Sequence, residues 1–77
     1  MQQYYAEVLL PLPLYSTFTY HIPDDMVGKI KVGYRVIVPF GRKKSYTAIV
    51  TAVSPIAPQG YEVKDITMIL DDYPILR

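Results

Sequence analysis

Residues 35–48, with the sequence RVIVPFGRKKSYTA, join an apolar run, a glycine and three adjacent cations in one short stretch. The β-branched residues at 36–38 favour a strand. Gly41 then allows either a positive φ or a close approach of the backbone to a ligand, and a Cβ would permit neither. The three cations that follow suit a phosphate or sugar, and a nucleic-acid strand in particular. They are Arg42, Lys43 and Lys44.

The charge of the chain is distributed unevenly. The net charge is only +1, yet no acidic residue lies between Asp25 and Glu62. Six of the eight basic residues fall in that interval, so the sequence predicts a local basic surface. The alternative is a hairpin tip that its charges keep soluble, and charge alone does not decide between the two.

Length and composition exclude several classes of protein. A chain of 77 residues is one domain at most, and its apolar fraction of 51% argues against intrinsic disorder. The absence of cysteine excludes disulfides and thiolate zinc sites, and it fits a reducing cytoplasm. No apolar run is long enough for a membrane span, so no membrane partner is expected.

The local signals indicate an all-β fold. Tyr, Val, Ile and Thr dominate the apolar runs, and seven prolines with four glycines interrupt the chain too often for long helices. Period-two alternation places Phe18 with Tyr20 and Ile22 on one face of the second strand. It likewise groups Val36, Val38 and Phe40 on the third strand, and Ile66, Met68 and Leu70 on the last. Five short strands with turn signals between them suggest a small barrel of five to six strands, of the oligonucleotide-binding or SH3-like kind. The predicted strands are 4–10, 16–22, 34–40, 45–54 and 63–70.

The end of the chain has the composition of a linker. Residues 71–77, DDYPILR, place two acidic residues and a proline before two apolar residues. We therefore expect a β-barrel domain over residues 1–70 and the start of a linker over 71–77. The chain would then be an N-terminal fragment of a larger protein.

Two blocks of the sequence resemble a known family. Residues 7–23, EVLLPLPLYSTFTYHIP, are similar to the opening of the primosomal protein N′ (PriA) family, the bacterial replication-restart helicases. Residues 32–41, VGYRVIVPFG, resemble the second block of that family, a Gly-x-Arg-Val-x-Val-Pro-Phe-Gly pattern. The resemblance extends over residues 5–76.

The resemblance implies a pocket that binds the 3′ end of a DNA strand. Carried over to this chain, the pocket residues are Phe18, Thr19, Gly41 and Lys64. Thr19 departs from the better-known members of the family, which have an aspartate there. A threonine hydroxyl can hydrogen-bond a base edge or a sugar, but it brings no charge. The three cations after Gly41 are expected to contact the DNA backbone.

Each of these residues also has a structural explanation that needs no ligand. Phe18 could stack on a terminal base, or it could pack in the core. Gly41 could be a hairpin glycine with a positive φ. Lys64 could donate to a sugar or phosphate, or it could simply be solvated.

The resemblance further implies a function in replication restart. The chain would recognise the 3′ end of the nascent leading strand at a stalled replication fork, a forked DNA. It would not itself be an enzyme. In the family, the domains with ATP-dependent 3′→5′ helicase activity, which use ATP and Mg, and a zinc-binding region would follow downstream of this fragment. No cofactor is therefore expected in the fragment itself. The full-length protein would meet primosome and single-strand-binding proteins in the bacterial cytoplasm. The alternative from another class is a small β-barrel that binds proteins and no nucleic acid.

Overall fold

The computed structural model describes residues 3–11, 16–58, 60 and 63–70. The all-β prediction is confirmed, since five strands and a short 3₁₀ turn at Asp24–Met26 account for the regular structure. The predicted linker at 71–77 lies outside the described residues. The strands are β1 (Tyr4–Leu10), β2 (Ser16–Ile22), β3 (Arg35–Pro39), β4 (Ser45–Ser54) and β5 (Met68–Ile69).

Three of the five predicted strands have the observed bounds. These are β1, β2 and β4, which are rich in aromatic, β-branched and other apolar residues and lie between turn signals. The third strand is one residue shorter at each end than predicted. The fifth is much shorter, because only two residues of the predicted 63–70 segment pair as a strand.

The strands form one antiparallel sheet in the order β2-β1-β4-β3-β5. The predicted barrel is a loose description of this sheet, because β2 and β5 remain at its two edges and no ladder joins these two strands. Instead, the segment before β5 meets β2 through an isolated parallel bridge between His21 and Asp65. The edges therefore touch at one short joint, and the sheet stays open.

A β-bulge lies between the two central strands. Glu7 pairs with Ala52 and Val8 with Val50, so Thr51 is the extra residue on β4. Its hydroxyl donates to the carbonyl oxygen of Glu7 at 3.0 Å. Because a bulge bends its strand and increases the local twist, it helps to bring the two edges of the sheet towards each other.

The core lies on the concave face of the curved sheet. The alternation predicted for β2 and β3 is confirmed, since Tyr20, Ile22, Val36 and Val38 are buried. Phe18 and Phe40, the outer members of the same two rows, are half-buried and pack against this core. The buried apolar residues are Ala6, Val8, Leu10, Tyr20, Ile22, Ile30, Tyr34, Val36, Val38, Ala48, Val50 and Ile66.

The alternation predicted for the last strand is wrong. Ile66 is buried as expected, but Met68 and Leu70 are 52% and 42% exposed. The reason is that the backbone changes its hydrogen-bonding partner here. The Ile66 N–H donates to the carbonyl oxygen of His21 on β2 at 3.0 Å, whereas the Thr67 N–H donates to the carbonyl oxygen of Ile37 on β3 at 2.8 Å. A period of two does not continue across such a change, and Ile69 packs against the core instead.

Candidate nucleic-acid interface

A small open cavity lies between β2, the end of β3 and the segment before β5. Its volume is about 180 Å³, and all four residues predicted for the pocket line it. Three further lining residues were not predicted as site residues. The complete lining is Phe18, Thr19, Tyr20, Pro39, Phe40, Gly41 and Lys64.

An aromatic row forms the apolar side of the cavity. The ring of Phe18 meets that of Phe40 edge to face, with centroids 5.0 Å apart, and Phe40 meets Tyr46 in the same way at 5.9 Å. Phe18 thus packs against the core and lines the cavity at once. The two explanations that the sequence left open for this residue are therefore compatible, and its ring orientation is fixed by its neighbours.

Tyr20 joins two walls of the cavity. Its ring is buried, with only 3% exposed, and its hydroxyl donates to the carbonyl oxygen of Pro39 at 2.7 Å. Because β2 and β3 share no ladder, this side-chain bond is a direct tie between them. Alternation could have suggested Tyr20 and Phe40 as lining residues, since they lie in register with Phe18 and Val38 along their strands.

Replacing Tyr20 by phenylalanine tests this tie. Tyr20→Phe keeps the packing of the ring but removes the donor to Pro39, so we expect unfolding to cost about 1 kcal/mol less. For a domain of this size the melting temperature should fall by about 4–8 °C, as measured by circular dichroism. An unchanged melting temperature would mean that the bond contributes nothing to stability.

Gly41 has the positive φ that the hairpin explanation requires. Its φ is +71°, and a Cβ added there would meet no atom within 4 Å. The backbone beside the cavity is therefore bare, and the space next to it is open. The positive φ of the turn and the close approach of a ligand to the backbone both favour glycine at this position.

Lys64 is exposed and is held at two points. Its Nζ donates to the carbonyl oxygen of Gly41 at 3.4 Å, and its own carbonyl oxygen accepts from the His21 N–H at 2.9 Å. The side chain therefore reaches from the β2 side of the cavity to the turn after β3. An ammonium group has three donors, so this long contact leaves capacity for a ligand.

The three predicted backbone-binding cations lie in the turn between β3 and β4. All three are exposed, and a hydrogen bond of 3.0 Å from the Phe40 N–H to the Lys44 carbonyl oxygen closes the turn. Lys43 has φ = +58°, a left-handed conformation that the sequence did not indicate. Because this conformation is unfavourable for lysine, the turn holds a cation where glycine or asparagine would be less strained.

The described residues lack a metal-binding cluster and a membrane-spanning helix. That part of the chain has no group of three or more His, Asp or Glu side chains that could hold a metal ion. It also has no helix of the length and apolarity that a membrane crossing needs.

An open all-β sheet with a small cavity beside exposed cations falls within the class of nucleic-acid-binding modules. Comparison with known proteins specifies the family. The family described as 3′DNA-binding domain (3′BD) matches residues 7–77. The chain is also 41% identical over 76 residues to the replication restart protein PriA of Bacillus subtilis (strain 168). The chain belongs to this family of DNA-binding domains.

The match with the relative is very unequal in extent. It covers 94% of this chain but only 9% of the Bacillus subtilis protein. Family membership confirms the resemblance found in the sequence. It also favours DNA binding over the alternative of a protein-interaction module without nucleic acid.

Proposed function

We propose that the chain binds the 3′ end of a DNA strand in the cavity between β2 and the turn after β3. The observation that carries this proposal is the convergence of Phe18, Thr19, Gly41 and Lys64 on one cavity from three separate parts of the chain. Membership in the 3′DNA-binding domain family supports the same ligand.

The size of the cavity supports a terminal nucleotide rather than a length of strand. At about 180 Å³ it is smaller than the roughly 300–1,000 Å³ of sites that enclose a drug-sized ligand. It could hold one base or one sugar.

Each lining residue has a chemical role in this proposal. The half-buried ring of Phe18 offers a surface for a terminal base, and the Thr19 hydroxyl can bond a base edge or a sugar. The bare backbone at Gly41 lets the terminal sugar approach closely, and the Lys64 ammonium donates to its hydroxyl. The cations at 42–44 contact the phosphates that lead to the end.

The biological setting follows from the relative and is part of the proposal. The chain would be the recognition module of a larger replication restart protein in the bacterial cytoplasm. There it would detect the end of the nascent leading strand at a stalled fork. ATP-dependent helicase activity, zinc and contacts with primosome and single-strand-binding proteins would belong to other domains of that protein.

Competition between different strand ends tests the proposal. A 3′-hydroxyl strand should compete better than the same strand with a 3′-phosphate, because the cavity must accommodate the added bulk and the terminal sugar then loses the bond from its hydroxyl to Lys64. We expect a loss of about 1–2 kcal/mol, which is the cost of one unsatisfied buried polar group. A circular strand of the same sequence has no end and should compete least. The measurement is competition by all three strands at one fixed salt concentration.

Variants at lysine positions separate end recognition from charge. Lys64→Ala should shrink the difference between the two ends, whereas Lys31→Ala removes an equally exposed cation away from the cavity and should leave the difference unchanged. Equal competition by all three strands would mean that the chain has a generic groove and does not recognise ends.

A further inference from the structure

His21 forms the joint between the two edges of the sheet. Its N–H donates to the carbonyl oxygen of Lys64 at 2.9 Å, and its carbonyl oxygen accepts from the Ile66 N–H at 3.0 Å. These two bonds form an isolated bridge rather than a ladder. The segment that carries Lys64 is therefore attached to β2 over a very short length.

The side chain of His21 adds a second connection at the same place. Its Nδ1 lies 2.8 Å from Oδ1 of Asp65, the residue that follows Lys64. Its Nε2 hydrogen-bonds Oε1 of Gln3, and its ring meets the edge of Tyr5 with centroids 5.6 Å apart. Three neighbours therefore fix the imidazole, and the imidazole in turn holds Asp65.

The contacts of His21 with residues 64–66 fix the position of the Lys64 backbone, from which the Lys64 side chain extends. The carbonyl of Lys64 is bonded to His21, while its Nζ is bonded across the cavity to Gly41 at 3.4 Å. A shift of the backbone at Asp65 would carry Lys64 with it. The direct contact between His21 and Asp65 is exposed, with 22% and 65% of the side chains accessible. Such contacts add little to global stability, so their main effect is local.

We propose that Asp65 is a positioning residue that, through His21, places Lys64 at the rim of the cavity and so sets the discrimination between DNA ends. This inference rests on the proposed function, in which Lys64 contacts the terminal sugar. Asp65 itself does not line the cavity.

Positioning and charge predict different patterns of affinity for Asp65→Ala. The substitution removes a negative charge near a DNA site, so electrostatics alone predicts tighter binding of every strand, and most of all of the more highly charged 3′-phosphate strand. The loss of the hydrogen-bond acceptor for His21 predicts a further fall in the preference for a 3′-hydroxyl over a 3′-phosphate, beyond the fall that the loss of charge causes. We expect that ratio of affinities to decrease about three- to tenfold.

Two matched variants isolate the acceptor from the charge. Asp65→Asn removes the same charge but keeps an oxygen that accepts from Nδ1–H, so its ratio should fall less than that of Asp65→Ala. Asp25→Ala removes an exposed carboxylate from the 3₁₀ turn and should leave the ratio unchanged. Binding of a circular strand to each variant reports the generic effect of charge.

A double-mutant cycle with Lys64 tests the route of the effect. If Asp65 acts through Lys64, the ratio for Lys64→Ala should not fall further when Asp65→Ala is added. Independent, additive losses would overturn the proposal, as would equal ratios for Asp65→Ala and Asp65→Asn. Wild-type protein that does not discriminate ends would overturn the proposed function and this inference together. Discrimination that survives Asp65→Ala would overturn the inference alone.

Discussion

Gly41→Val is expected to abolish end binding while the domain remains folded. A Cβ at this position would meet no atom within 4 Å, so the unliganded protein has room for the side chain. The cost to folding comes from φ = +71°, which is unfavourable for valine by about 1–2 kcal/mol. The branched side chain would then occupy the space beside the bare backbone that the terminal sugar needs.

Gly28→Val is the matched control for backbone strain. Gly28 has φ = +86° and equally open surroundings, but it does not line the cavity. Circular dichroism and melting should show similar destabilisation of the two variants, whereas only Gly41→Val should lose end binding. If folded Gly41→Val binds as well as the wild type, the pocket lies elsewhere. If both variants lose binding equally, strain and not the site is responsible.

Replacement of Arg42, Lys43 and Lys44 by alanine should weaken binding to all sequences alike. The three cations are exposed beside the cavity, and phosphate contacts carry no base information. Each lost contact with a single strand should flatten the plot of log affinity against log salt by about 0.7, which is about 2 for three contacts. A slope that is smaller by about 2 means that raising the salt from 50 to 200 mM lowers the affinity of the variant roughly sixteenfold less than that of the wild type.

Cations at the opposite end of β3 provide the control for net charge. Lys29 and Lys31 precede β3, whereas the turn at 41–44 follows its end, so β3 separates the two groups. Replacing both by alanine should change the salt slope little. An unchanged slope for the triple variant would remove residues 42–44 from the interface. A uniform loss should leave the preference for a 3′-hydroxyl intact.

The fold was predictable where local pattern and strand pairing agree. β1, β2 and β4 are runs of aromatic, β-branched and other apolar residues between clear breaks, and each has the predicted bounds. The segment after Val63 could not be predicted in the same way, because its backbone changes partner from His21 to Ile37 within two residues. That change depends on the spacing of strands that are far apart in sequence.

The candidate site was predictable in its residue types but not in its assembly. The resemblance supplied Phe18, Thr19, Gly41 and Lys64, and all four meet at one cavity. The hydrogen bond from Tyr20 to Pro39 and the bridge at His21 could not be inferred, because each joins β2 to a part of the chain with which it forms no ladder. Nothing in the local sequence indicates the left-handed conformation of Lys43.

The open edge of β2 has a consequence for how far this domain can be stabilised. The cavity lies where the sheet fails to close, between the free side of β2 and the end of β3. Additional pairing across this gap would add hydrogen bonds, but it would fill the space that a ligand needs. If the cavity binds a strand end as proposed, a more rigid and heat-resistant version of the domain obtained in this way would lose that binding. The gap that keeps the sheet open would then limit the stability of the domain and admit its ligand at the same time.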